Sequence, residues 1–335
     1  MNPDPLSTPE IIHSLQRLTT PDAIDLTTIV PLGGVPQVVS VRGRNRVNPV
    51  LLFLHGGPGT PLAPTGWMWQ RPIEEFFTVV HYDQRGAGRS YRIAEPDVVR
   101  PAMTINQYVQ DAAELVEWLK VEFSIDRVIL VGHSWGTVIA TTLAHQRPNL
   151  VEAYLGIGQV IDFRAGETSS YSWLCNQAAS RDDDQAIREL DALAPYPGEQ
   201  PLNWDKMSIH RKWVERYGGF AAGRSDCDYY TQGEVTSLDY QGENRRSTTE
   251  GNQLSLEVIL PQLFNADLTN LTSFDVPIIQ FLGRHDQLTP TEPVTRWMAG
   301  VNAPRTEIEW FEDSAHMLMN EEPGHFLTAL VHQFK

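Results

Sequence analysis

The chain reads as an α/β protein, with a mostly parallel, twisted sheet, helices on both faces and an inserted helical segment. Three observations carry this reading. Short, continuously apolar runs alternate with segments of helical period toward both ends of the chain. One run, residues 127–131, leads into Gly132-His133-Ser134-Trp135-Gly136 and then directly into a helical pattern. Between about 162 and 267 the strand runs vanish, and Trp, Tyr, Arg and acidic residues dominate.

The elements follow in order. Residues 8–18 suit a short helix with Ser7 or Thr8 as cap and Ile11, Ile12, Leu15 and Leu18 on one face. Strands over 23–30 and 37–41 form a hairpin through Gly33-Gly34. Val50–Leu54 is apolar throughout, as a strand covered on both faces of a parallel sheet must be, and 76–82 and 128–131 read likewise. Thr104 opens an amphipathic helix, with Gln107 completing a capping box, and its apolar residues recur at helical spacing from Ile105 to Leu119. A helix over 137–145 stops before Pro148, and Val151–Ile157 is a sixth strand.

Helical stretches are expected at 170–193, 204–217 and 252–264, strands at 276–282 and Thr306–Phe311, and a last helix at 323–333. The division is therefore a core of 1–161 and 268–335 interrupted by a cap of 162–267.

Bulk properties narrow the function. The 335 residues, 41% hydrophobic and 20% charged, fit a globular enzyme with a second, smaller lobe. A net charge of −16 argues against nucleic acid or an anionic membrane as partner, since both are polyanions. Cys175 and Cys227 are too few and too isolated for a disulfide framework or a zinc site, and no metal or cofactor is expected. Met1-Asn2-Pro3-Asp4-Pro5 has neither a basic start nor an apolar core, and no apolar run approaches the ~18–20 residues of a membrane span. A soluble, cytoplasmic protein is expected.

A serine between glycines at a strand-to-helix corner is a nucleophile raised above a sheet, with the helix N-terminus beneath it to stabilise an oxyanion. A serine hydroxyl needs a histidine to take its proton and an acid to orient that histidine, and in this topology the chain order is serine, acid, histidine. Asp286 follows the strand at 276–282, and His316 follows Thr306–Phe311. Asp162, just past the sixth strand, is the rival acid, whereas His285 and His325 read as structural and Asp313 as a turn cap. Two backbone N–H groups must hold the oxyanion. Trp135 supplies one, and Gly57, in the loop after Val50–Leu54, supplies the other, with Gly56 lining the substrate. No Lys-Ser or Lys-Thr follows those glycines, which argues against a phosphate cradle.

With these motifs in place, the chain resembles the α/β-hydrolase superfamily, and within it the proline iminopeptidase (prolyl aminopeptidase) family. The resemblance rests on His55-Gly56-Gly57-Pro58-Gly59, on Asp83-Gln84-Arg85-Gly86-Ala87-Gly88-Arg89-Ser90, and on the nucleophile turn. That turn carries His133 where the family has glycine. It spans roughly 25–160 and 270–333, and implies an α/β-hydrolase fold and a serine aminopeptidase that removes an N-terminal, proline-type residue from small peptides or amides. It further implies cap glutamates that bind the substrate's amino end, for which Glu215 and Glu257 fit loosely, because a desolvated ammonium needs a paired carboxylate. Asp83 and Arg85 are expected to brace the loops around the nucleophile. The alternatives are an esterase or lactonase with the same machinery on a small apolar substrate, and a noncatalytic ligand-binding protein. The cap aromatics Tyr171, Trp173, Trp204, Trp213 and Phe220 read as cap core more readily than as pocket lining.

Overall fold

The computed structural model describes residues 5–199 and 202–335, so the amino-terminal reading of residues 1–4 lies outside it. Eight strands form one sheet: β1 (Ile24–Leu32), β2 (Val35–Gly43), β3 (Val50–Leu54), β4 (Thr78–Tyr82), β5 (Val128–His133), β6 (Val151–Ile157), β7 (Ile278–Gly283) and β8 (Thr306–Phe311). Their order is β1-β2-β4-β3-β5-β6-β7-β8. The β1–β2 hairpin and the β2–β4 pair are antiparallel, and every other neighbour is parallel. β3, β4, β5 and β7, which are largely apolar, are buried at every position, whereas β1 alternates and β8 is partly exposed at the edge.

Two apolar cores cover the sheet. The larger packs β3, β5 and β6 against the helices Ile105–Phe123 and Trp135–Gln146 and continues into the insertion. The smaller packs the opposite faces of β3, β5 and β7 against Trp69, Phe77 and the helix Pro323–Phe334. Parallel strands must be linked by crossovers, so the carboxyl ends of β3, β5, β6, β7 and β8 gather on one edge, which places the candidate residues together.

Some boundaries move for identifiable reasons. β7 begins at Ile278 because Pro277 has no N–H to give the ladder. β4 begins at Thr78 because the N–H groups of Phe76 and Phe77 close a turn on Ile73. The helical stretch at 170–193 is two helices, Phe163–Ser180 and Asp184–Asp191, separated where Asp182 takes φ 49° and Asp183 caps the second. The 252–264 helix starts earlier, as Glu243–Leu263. The first helix is Thr8–Leu15 with a Ser7–Glu10 capping box, but Ile11 and Leu15 are 48% and 76% exposed, so its apolar face is not core. Thr104 accepts the Gln107 N–H, while the Gln107 side chain turns to Asp111, so only half of that capping box forms.

Between β6 and β7 the chain is helical and crosses the sheet's carboxyl edge. Its ends meet at a bridge pairing Asp162 with Asp267, reinforced by hydrogen bonds from Phe163 N to Ala266 O (3.1 Å) and Leu268 N to Ile161 O (2.7 Å). Among the described residues no helix is long and apolar enough to cross a membrane.

Candidate active site

Ser134 sits at the corner between β5 and the helix Trp135–Gln146 with φ 53° and ψ −123°, a strained conformation for a residue with a side chain. The corner survives because its surroundings hold it: Ser134 N donates to Ile157 O of β6 at 2.9 Å, and Thr137 N closes on Ser134 O at 2.8 Å. Gly136 lets the new helix press against β3, since a Cβ there would collide with the Leu54 carbonyl. The serine stands partly open to solvent above an otherwise buried turn.

Asp286 follows β7 and is 2% exposed, as is His316 beyond β8. His316 Nδ1 donates to Asp286 Oδ2 at 2.9 Å. Thr289 Oγ1 donates to the same oxygen at 2.8 Å and lies 3.2 Å from His316 Nδ1, while Leu288 N and Thr289 N hold Asp286 Oδ1 at 2.9 Å each. Asp286 is thus fixed in position by four donors, and its bond to Nδ1 leaves Nε2 of the imidazole free. Asp162 does not share this place. It caps the helix Phe163–Ser180 through Ala165 N at 3.0 Å.

Two contacts bring His316 to residues adjoining the Ser134 turn. Its ring lies 4.9 Å from that of His133, the residue before the serine, and it abuts Gly158, where a Cβ would come within 2.7 Å of His316 Cε1. No hydrogen bond joins Ser134 Oγ to His316 Nε2, and neither atom is spent on another described residue. Contacts of this kind commonly tighten only around substrate. His133 is 4% exposed, and desolvation, aided by His316, lowers its pKa to about 3. It is therefore neutral, with Nε2–H donating to the His316 carbonyl at 3.3 Å and Nδ1 buried without a partner.

The loop after β3 places Gly57 at φ 109° and Gly56 against the serine, where a Cβ would come within 2.9 Å of Ser134 Cβ. The Gly57 N–H makes no hydrogen bond among the described residues. The Trp135 N–H, first in its helix, has no acceptor within that helix. Both residues line one cavity with Ser134.

The expected brace from Asp83 and Arg85 is corrected by the structure. Arg85 turns away to Asp111 (2.6 and 2.8 Å), and Asp83 holds Arg89 and Tyr240. The residue between them, Gln84, does the bracing: its amide donates to His55 O and accepts from Trp135 Nε1, both at 3.1 Å, while its N–H donates to His55 Nε2 at 3.1 Å. His55 then carries its proton on Nδ1, which donates to Gly56 O at 3.0 Å. Burial lowers its pKa to about 4.

The cavity of about 60 Å³ beside Ser134 is walled by Val160, Ile161, Phe163, Met207, Leu263 and Leu288, with Asp162, Glu167 and Arg211 as its charged residues. Glu167 is 3% exposed; Arg211 grips both its oxygens, and Tyr196 donates to it at 2.5 Å. Desolvation is the strongest single influence and would raise this carboxyl, but Arg211, His210 and the Tyr196 hydroxyl together outweigh it and hold the pKa below the ordinary value. His210 stacks on Tyr196 with centroids 4.7 Å apart, and its Nδ1 accepts from Arg211 at 2.7 Å.

The two glutamates expected to bind the substrate's amino end are not here. Glu257 is 63% exposed and pairs with Arg100, and Glu215 accepts the Cys227 N–H at 2.8 Å. Both lie outside the residues lining the cavity. Glu167, which does line the cavity, was not among the expected residues. The signal for it was a single glutamate on the buried stripe Phe163, Glu167, Ser170, Leu174, Ala178 of an otherwise ordinary helix. The five cap aromatics do not line this cavity; Trp213 is buried, Trp204 is 49% exposed, and the Phe220 ring lies 5.9 Å from that of His316.

Comparison with known proteins agrees with this fold. The alpha/beta hydrolase fold family matches residues 49–323. The probable aminopeptidase YbaC of Bacillus subtilis (strain 168) is 34% identical over 303 residues, covering 89% of this chain and 93% of that protein. A proline iminopeptidase of Heyndrickxia coagulans is 26% identical over 291 residues, 84% of this chain and 88% of that one. The crystal structure of VinJ superposes with a TM-score of 0.67 at 19% identity, covering 92% of this chain and 97% of the other, which is a likeness of fold.

Proposed function

We propose, from the premise that the chain belongs to the alpha/beta hydrolase fold family, that it is a serine hydrolase working through an acyl-enzyme. The observation that carries this reading is the Asp286–His316 hydrogen bond beside a serine held at positive φ. Ser134 Oγ attacks a substrate carbonyl carbon as its proton passes to His316 Nε2. The imidazolium is stabilised by Asp286, and the carbonyl oxygen, now negative, is held by the N–H groups of Gly57 and Trp135. Collapse expels the leaving group, which takes the proton from His316. Water, deprotonated by the same imidazole, then releases the acid and restores the serine.

For the substrate we favour a small peptide or amide with an apolar, proline-type N-terminal residue. The apolar wall beside Ser134 suits such a group, and the relatives named above are a probable aminopeptidase and a proline iminopeptidase. The insertion 162–267 acts as the cap that shapes this pocket, between core segments 1–161 and 268–335. One observation favours a second reading, an esterase or lactonase. Of the two carboxylates lining the pocket, Glu167 is already neutralised by Arg211 and bonded by Tyr196, and Asp162 caps its helix through one oxygen, which leaves little for an incoming ammonium.

Rates on proline β-naphthylamide, its N-acetylated form and p-nitrophenyl acetate, with Ser134→Ala as control, test the choice. Preference for the free amine supports the aminopeptidase. Equal rates on free and blocked amides oppose it, and turnover of the ester alone establishes the second reading.

A further inference from the structure

The segment 218–222 of the insertion is tied to both loops that carry the acid and the base. Gly219 O accepts the N–H of Gln287, next to Asp286, at 2.9 Å, and Phe220 O accepts the N–H of His316 itself at 3.1 Å. The third tie is a side chain. Glu321 accepts the Ala222 N–H on Oε1 at 2.5 Å and, on Oε2, the N–H of Ala315, the residue before His316, at 3.0 Å. The carboxylate therefore spans the gap between the insertion and the histidine loop, one oxygen on each. Burial raises its carboxyl above the ordinary value although the N–H groups of Ala315, Ala222 and Met317 draw it down, so it is held where ionisation is costly.

We propose that Glu321 is a positioning residue which clamps the segment 218–222 to the histidine loop, so that seating of the insertion and placement of the His316 imidazole are a single event. The inference rests on the reading of His316 as the base. A chain that presses on a base only through packing would need no carboxylate; two backbone donors facing each other across a gap need an acceptor with two free oxygens. Glutamine has one oxygen and an NH₂ group, so it satisfies one N–H and confronts the other with donors. The clamp thus distinguishes glutamate from its isostere, which a space-filling role does not.

The test compares Glu321→Gln and Glu321→Ala with the wild-type enzyme. A fluorophosphonate titration counts the reactive Ser134, and kcat and KM are then expressed per reactive site. We expect kcat per site to fall about tenfold in Glu321→Gln and about 10- to 100-fold in Glu321→Ala, with KM changed far less, as a misplaced base requires. If Glu321→Gln keeps the wild-type kcat per site, the proposal is overturned, even should the variant unfold more easily. If Glu321→Ala does not fold, Glu321→Gln alone decides. A wild-type protein that the probe does not label overturns the reading of Ser134 and His316, and this inference with it.

Discussion

Asp286 Oδ2 receives two hydrogen bonds, from His316 Nδ1 at 2.9 Å and from Thr289 Oγ1 at 2.8 Å, so one oxygen orients the imidazole and is itself oriented. The hydroxyl of Thr289 was invisible as a functional group in the sequence, yet it keeps the carboxylate from rotating about its last bond. Replacement Thr289→Val preserves the shape and removes the donor. We expect kcat/KM to drop about tenfold, or ~1.4 kcal/mol of transition-state stabilisation, and Thr289→Ser to restore most of it. Steady-state kinetics of the two variants check this.

Acid should unfold this protein early. Desolvation lowers the pKa of His55 to about 4 and those of His81, His133 and His210 to about 3, all below the value of about 6.5 in an unfolded chain. The unfolded chain therefore binds more protons than the folded one between these limits. The stability is complete above pH 6.5 and is lost as pH falls toward 3, by up to about 2 kcal/mol for each histidine at pH 5. That loss is comparable to the 5–15 kcal/mol a domain typically has. Urea midpoints should be flat from pH 7 to 8 and fall steeply between 6 and 4.5.

His133 allows that account to be dissected. His133→Gly installs the residue of the proline iminopeptidase pattern but empties the space against the His316 ring, where the centroids are 4.9 Å apart. At pH 7.5 we expect a loss of about 2–4 kcal/mol from the cavity. The further loss between pH 7.5 and 5 should be smaller than in the wild type by about 2 kcal/mol, because one neutral buried histidine is gone. Chemical denaturation at the two pH values measures both.

Glu167 lines the cavity and Glu257 does not, so substrate binding is expected to depend on the first and not on the second. Glu167→Gln leaves Arg211 without its counter-charge inside the pocket wall and should raise KM at least about tenfold, with a smaller change in kcat. Glu257→Gln breaks only an exposed pair with Arg100 and should leave both constants unchanged. Kinetics on whichever substrate class is turned over decide the point.

Legibility in the sequence divides along physical lines. β3, β5 and β6 were readable to within a residue or two because apolar runs report burial directly, and the sheet order places Ser134, Asp286 and His316 at one sheet edge. The site's local motifs were readable because turn chemistry acts within a few residues. The pocket wall was not. Glu167 and Arg211 stand 44 positions apart on helices whose facing is decided by tertiary packing. Gln84 was passed over for a related reason. Nothing local marks a neutral amide between two charged residues, yet it both donates and accepts and so joins His55 to Trp135.

The central claim is that His316, oriented by Asp286, makes Ser134 reactive. Mass spectrometry of the peptide bearing Ser134 after exposure to a fluorophosphonate probe tests it most directly. An adduct on Ser134 in the wild type, nearly absent in His316→Ala, is the predicted result. No adduct on Ser134, or equal labelling with and without the imidazole, would contradict it.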